Sequence, residues 1–116
     1  MSKIIKSSIK SPVAEFPGKV TLPEFLTMPQ VLLYERAIGE VRVLLKAKAS
    51  QTEIDAVVLT TICSVVESWE IVGDFWPEGV ISPDNFPGSP RVPSGLFIAW
   101  LIEEIGKIYS PAIPKA

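Results

Sequence analysis

The sequence predicts an all-α fold: a small three-helix domain with an extended N-terminal arm and a long proline-rich loop before the last helix. Capping boxes at Thr27–Gln30 and Ser50–Glu53 mark the starts of two helices, because their side chains pair with backbone N–H groups that a helix start leaves free. Apolar residues then recur at intervals of three and four, as on one face of a helix. The same spacing returns from Ser94 to Tyr109 and predicts a third helix.

The length and composition of the chain are those of one globular domain. It has 116 residues, of which 47% are hydrophobic and 21% charged, enough for one core and too few for two. We expect a flexible N-terminal tail over residues 1–12, a single helical domain over 13–110 and a C-terminal tail over 111–116. The mean hydropathy of +0.34 indicates either a large core or an apolar surface that binds a partner.

The arm before the first helix contains the first of two Phe-Pro-Gly sequences, at residues 16–18 and 86–88. Pro followed by Gly favours a type II turn, because Pro fixes φ at the first turn position and Gly accepts a positive φ at the second. After the first of these turns, Val20 and Leu22 alternate with polar residues. That alternation fits either a short strand or an extended segment packed on the domain.

The first two helices each have a clear apolar face. In the first helix Gly39 costs up to about 1 kcal/mol relative to Ala, and close helix packing would be one reason for it. The second helix is predicted to run from its capping box to about Val72, with Gly73 just beyond its end. Its main apolar stripe consists of Ile54, Val58, Ile62, Val65, Trp69 and Val72.

The connection over 74–93 contains five prolines, which exclude a uniform helix there. We expect its aromatic residues, Phe75, Trp76 and Phe86, to anchor it to the helices. The third helix that follows is apolar nearly all round, so it is predicted to be buried within this domain or between molecules.

The chain offers few residues for catalysis or for binding a metal. It has no histidine and a single cysteine, Cys63, which excludes the commonest general base and a standard zinc site. Glu67, Glu70 and Asp74 lie at i, i+3 and i+7, so they share a helix face and could act as acid and base or hold a divalent cation. A solvated polar face explains them more simply, so we predict no enzymatic activity, no cofactor and no metal.

Charge and hydropathy argue against two further classes of partner. The formal net charge is −2 and no cluster of Lys and Arg follows the first ten residues, so binding to nucleic acid is not expected. The longest apolar run, 96–102, is too short to span a bilayer. The mildly basic start of the chain lacks the continuous apolar stretch of a signal peptide, and one cysteine fits a reducing compartment, so we expect a cytoplasmic protein.

The surplus of apolar helix surface predicts a binding groove or an oligomer interface, while a well-filled core remains the alternative. We expect the partner-binding residues in the third helix and among the loop aromatics. They are Phe75, Trp76, Phe97, Trp100 and Leu101.

The segments 16–23 and 26–30, followed by a helix that contains Glu35, resemble the start of small tail assembly chaperones of tailed bacteriophages and prophages. A middle helix with a tryptophan and a short last helix after a proline-rich loop also fit that family. The resemblance implies a non-enzymatic, mostly helical protein of the host cytoplasm that shields the tape-measure protein and recruits tail-tube subunits. A structural subunit of a phage or bacterial assembly is the alternative.

Overall fold

A computed structural model describes residues 6–74, 76–88 and 94–112 of the chain. The described part combines three helices with three strands, so the all-α prediction is wrong and the fold is mixed α/β. In chain order the elements are β1 (Lys6–Lys10), β2 (Gly18–Pro23), α1 (Met28–Lys46), α2 (Gln51–Val65), β3 (Ser68–Ile71) and α3 (Ser94–Ala112).

The three strands form one antiparallel sheet in the order β1-β2-β3. Ile9 lies opposite Val20, and Val20 lies opposite Trp69, so these three side chains share the face that packs against the helices. The other face is polar and carries Ser8, Lys10, Lys19, Thr21, Ser68 and Glu70. The alternation at Val20 and Leu22 thus belongs to a strand. Residues 6–10, which we expected within a flexible tail, are the edge strand paired with it.

The second helix ends earlier than the sequence predicts. α2 stops at Val65, where Val66 leaves the helix with extended backbone angles (φ −66°, ψ 124°), and the chain turns into β3. The helical spacing of Val65, Trp69 and Val72 was misleading, because Ser68–Ile71 also has the alternation of a strand. Gly73 lies beyond the strand and is not the residue that follows the helix.

Gly18 allows β2 and β3 to approach each other. Its φ of +135° lies in the region that favours glycine. A Cβ added there would overlap the carbonyl oxygen of Glu70 and lie 2.9 Å from the Cα of Ile71. The glycine of the first Phe-Pro-Gly sequence therefore begins a strand and serves strand packing. The hydrogen-bonded turn in this segment comes earlier, where the Phe16 N–H donates to the Val13 carbonyl at 3.1 Å.

Both capping boxes are confirmed. The Thr27 N–H donates to Gln30 Oε1 at 2.9 Å at the start of α1, and the box of Ser50 and Glu53 opens α2. Gln30 also donates through Nε2 to the Ser64 carbonyl at 3.0 Å. The start of α1 is thereby joined to the end of α2, so the two helices run antiparallel.

The core lies between the sheet and helices α2 and α3. Phe16, Val20, Ile62, Phe97 and Leu101 are almost entirely inaccessible to solvent and belong to one apolar cluster. The third helix begins as predicted but continues to Ala112, through Pro111, which we had placed in the C-terminal tail.

Candidate protein-binding groove

The hairpin of α1 and α2 has one flank covered and one flank open. On the covered flank, the rings of Tyr34 and of Tyr109 in α3 lie 4.6 Å apart, and the Tyr34 hydroxyl lies against Gly106. Burial raises the pKa of Tyr34. On the open flank no described element of the chain fills the space between the two helices, and a groove runs along the hairpin.

The groove has an apolar floor and charged sides. It consists of two adjoining depressions of about 660 and 240 Å³, which share Arg36, Glu40 and Val57. Thr61 lies in the smaller depression and donates from Oγ1 to the Leu33 carbonyl at 3.4 Å. The remaining lining residues are Leu33, Ala37, Gly39, Val43, Leu44, Glu53, Ala56 and Thr60.

Helix α1 contributes unusually little to the core. Among its residues only Ala37 is fully buried, whereas Met28, Leu32, Val43 and Leu45 are all more than half exposed. These exposed side chains extend the apolar surface beyond the groove. A group of large apolar side chains on a surface marks a binding site more often than an isolated apolar side chain does.

The residues predicted to bind a partner lie elsewhere. Phe97 and Leu101 have no exposed surface, and Trp76 and Trp100 are partly buried beside them, while Phe75 lies outside the described residues. The ring of Phe97 is 5.9 Å from that of Trp76 and 5.7 Å from that of Trp100. These side chains stabilise the core, so Phe97 and Leu101 are not accessible to a partner of the folded domain.

The proline-rich loop is held by this aromatic cluster, as the sequence predicts for two of its three aromatic residues. Trp76 lies 5.4 Å from Trp69 and 6.0 Å from Phe16, and Phe86 lies 5.7 Å from Trp76, measured between ring centroids. The Asn85 side chain adds hydrogen bonds within the loop, accepting from the Ser82 N–H and donating to the Val80 carbonyl, both at 2.7 Å. The described part of the loop is therefore ordered by its own side chains.

A second cavity of about 420 Å³ lies between the end of α2, β3 and the loop, and Cys63, Trp69 and Trp76 are among its lining residues. Burial raises the pKa of the Cys63 thiol to about 11, so the thiolate needed for nucleophilic attack is scarce at neutral pH. We assign no chemistry to this cavity.

The three carboxylates considered for acid–base or cation chemistry do not share a helix face. Glu67 follows the end of α2, Glu70 projects from the polar face of β3, and Asp74 lies in the loop. Glu70 Oε1 lies 4.0 Å from Lys19 Nζ on the same face of the sheet. Within the described ranges, no three acidic, cysteine or histidine residues are grouped to hold a metal ion. None of the helices there is long and apolar enough to cross a membrane.

The sequence did not reveal the position of the groove, because that position depends on which flank of the hairpin α3 covers. Gly39 was the one local signal: a glycine inside a helix suggested close packing against another helix. In the structure no atom lies within 4 Å of the position that its Cβ would take. The glycine was visible in the sequence, but no described helix of this domain packs against it.

Comparison with known proteins adds no assignment: no protein-family model, curated protein or solved structure matches the chain.

Proposed function

We propose that this domain is a non-enzymatic interaction protein whose α1–α2 groove binds an amphipathic helix of a protein partner. The observation that carries the proposal is the open flank of the hairpin, where Gly39, Val43, Ala56 and Val57 line an apolar groove between two helices. An amphipathic helix can place its apolar face in such a groove and leave its polar face in water.

The charges beside the groove select among such helices. Arg36, Glu40 and Glu53 line it and together carry one net negative charge. A partner helix with lysine or arginine beside its apolar face would meet a complementary surface, and such complementarity affects association rate and specificity more than affinity.

The resemblance to tail assembly chaperones supplies a biological setting for this activity. A chaperone that shields the tape-measure protein has to cover the apolar faces of helices, and an open groove suits that task. In this setting the protein acts in the host cytoplasm, binds the tape-measure protein and brings tail-tube subunits to it. The sheet is a departure from the mostly helical fold that the resemblance implied.

The alternative, a structural subunit, rests on arms over 1–26 and 74–93 that reach neighbouring copies. The structure describes residues 6–26, 74 and 76–88 of these arms, and the parts that belong to β1, β2 and the aromatic cluster pack within their own domain. This packing favours the interaction protein. Detection of the chain in purified particles would reverse the preference.

Binding of a synthetic peptide tests the proposal. The probe is a leucine and lysine peptide with its leucines at helical spacing, and a peptide of the same composition with dispersed leucines is the control. We expect saturable binding of the first peptide only. Ala56→Lys, which puts a positive charge into the exposed groove opposite a peptide that carries lysines, should weaken binding about tenfold, equal to about 1.4 kcal/mol.

Leu96→Lys is the matched control variant, because Leu96 is a 65% exposed apolar residue of α3 that does not line the groove. It should bind the peptide as the unmodified protein does. Equal binding of both peptides, or equal loss in both variants, would contradict the proposal, since the groove would then not be the binding surface.

A further inference from the structure

Helix α1 carries an apolar stripe that no described part of the chain covers. Its members are Met28, Leu32, Gly39 and Val43, which lie at intervals of four, seven and four residues along the solvent side of the helix. Met28 is 68% exposed, Leu32 54% and Val43 66%. At 3.6 residues per turn these positions stay within a narrow band over about 22 Å of helix.

Gly39 leaves the helix backbone bare near the middle of this stripe. The space that its Cβ would take is empty to at least 4 Å, so nothing in the described domain requires glycine there. Its helical backbone does not require glycine either, because its φ is not positive. A second helix that crosses α1 at Gly39 would use the space, since a missing side chain lets two helix backbones approach closely.

The charges that flank the stripe complement each other across a two-fold axis parallel to the helix. On a helical wheel, Arg36 and Glu40 lie on one side of the line through Leu32 and Gly39, and Glu35 and Arg42 lie on the other. When two copies of α1 run parallel, each flank meets the opposite flank of the other copy. Arg36 then meets Glu35, and Glu40 meets Arg42.

An antiparallel pair that crosses at Gly39 would join different residues, because each flank then meets itself in reverse and brings Glu35 near Arg42 and Arg36 near Glu40 of the other copy. Glu35 is also held in position for an ion pair. The Tyr109 hydroxyl donates to its Oε2 at 2.7 Å, which restricts the side chain and leaves Oε1 available to accept from an arginine.

We infer that this face binds a second copy of the chain, through a symmetric pair of parallel α1 helices that cross near Gly39. The apolar stripe supplies affinity, and the flanking charges add specificity for a second copy of the same helix. One helix from each copy makes a small interface, so the dimer is a transient one. The stripe shares Gly39 and Val43 with the groove, so self-association and partner binding exclude one another.

Sedimentation of the protein alone, over a range of concentrations, tests the inference without any partner. We expect a reversible monomer–dimer equilibrium that Leu32→Glu abolishes and the control Leu96→Glu leaves unchanged. Glu35→Arg should weaken the dimer about tenfold, because it places the new arginine beside Arg36 of the other copy at both symmetric positions. The double variant E35R/R36E should return to within about twofold of the starting affinity.

The double variant distinguishes a parallel from an antiparallel pair of helices. Circular dichroism checks that each variant folds. A protein that is monomeric throughout, or a dimer that neither charge reversal affects, would overturn the inference. Disulfide formation gives a second measurement: Leu32→Cys in a Cys63→Ser background should cross-link rapidly between copies. Slow cross-linking, no faster than Leu96→Cys in the same background, would also overturn it. Peptide binding in the groove is measured separately, so either proposal can fail alone.

Discussion

Substitution of Gly18 by alanine should destabilise the domain strongly, because the strand pairing of β2 with β3 depends on the absence of a side chain there. At φ +135° a Cβ costs about 1–2 kcal/mol. The new methyl group would also overlap the Glu70 carbonyl, and relieving that overlap by moving strands costs about 1–3 kcal/mol. The expected loss is about 2–5 kcal/mol, a large part of the roughly 5–15 kcal/mol that stabilises a domain.

Gly39→Ala is the matched control, and its effect should have the opposite sign. The site is helical and its surroundings are empty, so alanine should stabilise the folded protein by about 0.5–1 kcal/mol. Urea unfolding followed by circular dichroism, at a concentration where the protein is monomeric, measures both changes. The corresponding shifts in Tm are a fall of about 10–20 °C for Gly18→Ala and a rise of a few degrees for Gly39→Ala.

A free energy of unfolding for Gly18→Ala within about 0.5 kcal/mol of that of the unmodified protein would contradict this expectation. That result would mean that no β3 backbone lies against Gly18, as in the longer second helix that the sequence alone predicts.

Single contacts give four further predictions. Thr27→Ala should cost about 1 kcal/mol in urea unfolding, because Thr27 Oγ1 accepts from the Gln30 N–H in the first turn of α1. Phe97→Ala should cost about 3–5 kcal/mol in the same assay, as expected for a large ring with no exposed surface. Cys63 should react with iodoacetamide slowly at neutral pH and faster up to pH about 11. Burial makes the folded state hold the thiol proton more tightly than the unfolded chain does. The free energy of unfolding should therefore fall as the pH rises from 9 to about 11. Glu35→Gln should lower the pKa of Tyr109, since the hydrogen bond to the Glu35 carboxylate is the largest cause that raises it, and ultraviolet titration of tyrosine measures the change.

The sequence predicted those parts of the fold that depend on interactions between residues only a few positions apart. The starts of α1 and α2 depend on capping boxes, in which partners are three residues apart. β3 could not be found in this way, because Trp69 fits a helical stripe and a strand equally well. Its partner, Val20, lies almost fifty residues earlier in the chain.

The candidate site shows the same limit. The apolar surplus of the chain was visible in its composition, but an evenly apolar helix such as α3 does not reveal which of its faces is covered. Phe97 and Leu101 were expected at a surface, and the convergence of Phe16, Trp76 and the sheet places them in the core. Helix α1, with more charges and a clearer apolar face, had the exposed surface instead.

Amide NMR of the labelled protein, titrated with the amphipathic leucine and lysine peptide, tests the central proposal most directly. We expect the largest shifts at Gly39, Ala56 and Val57, which line the groove, and no shifts at Val72 and Leu96, which are exposed apolar residues elsewhere. Shifts concentrated at Val72 and Leu96, or no saturable shifts at all, would contradict it.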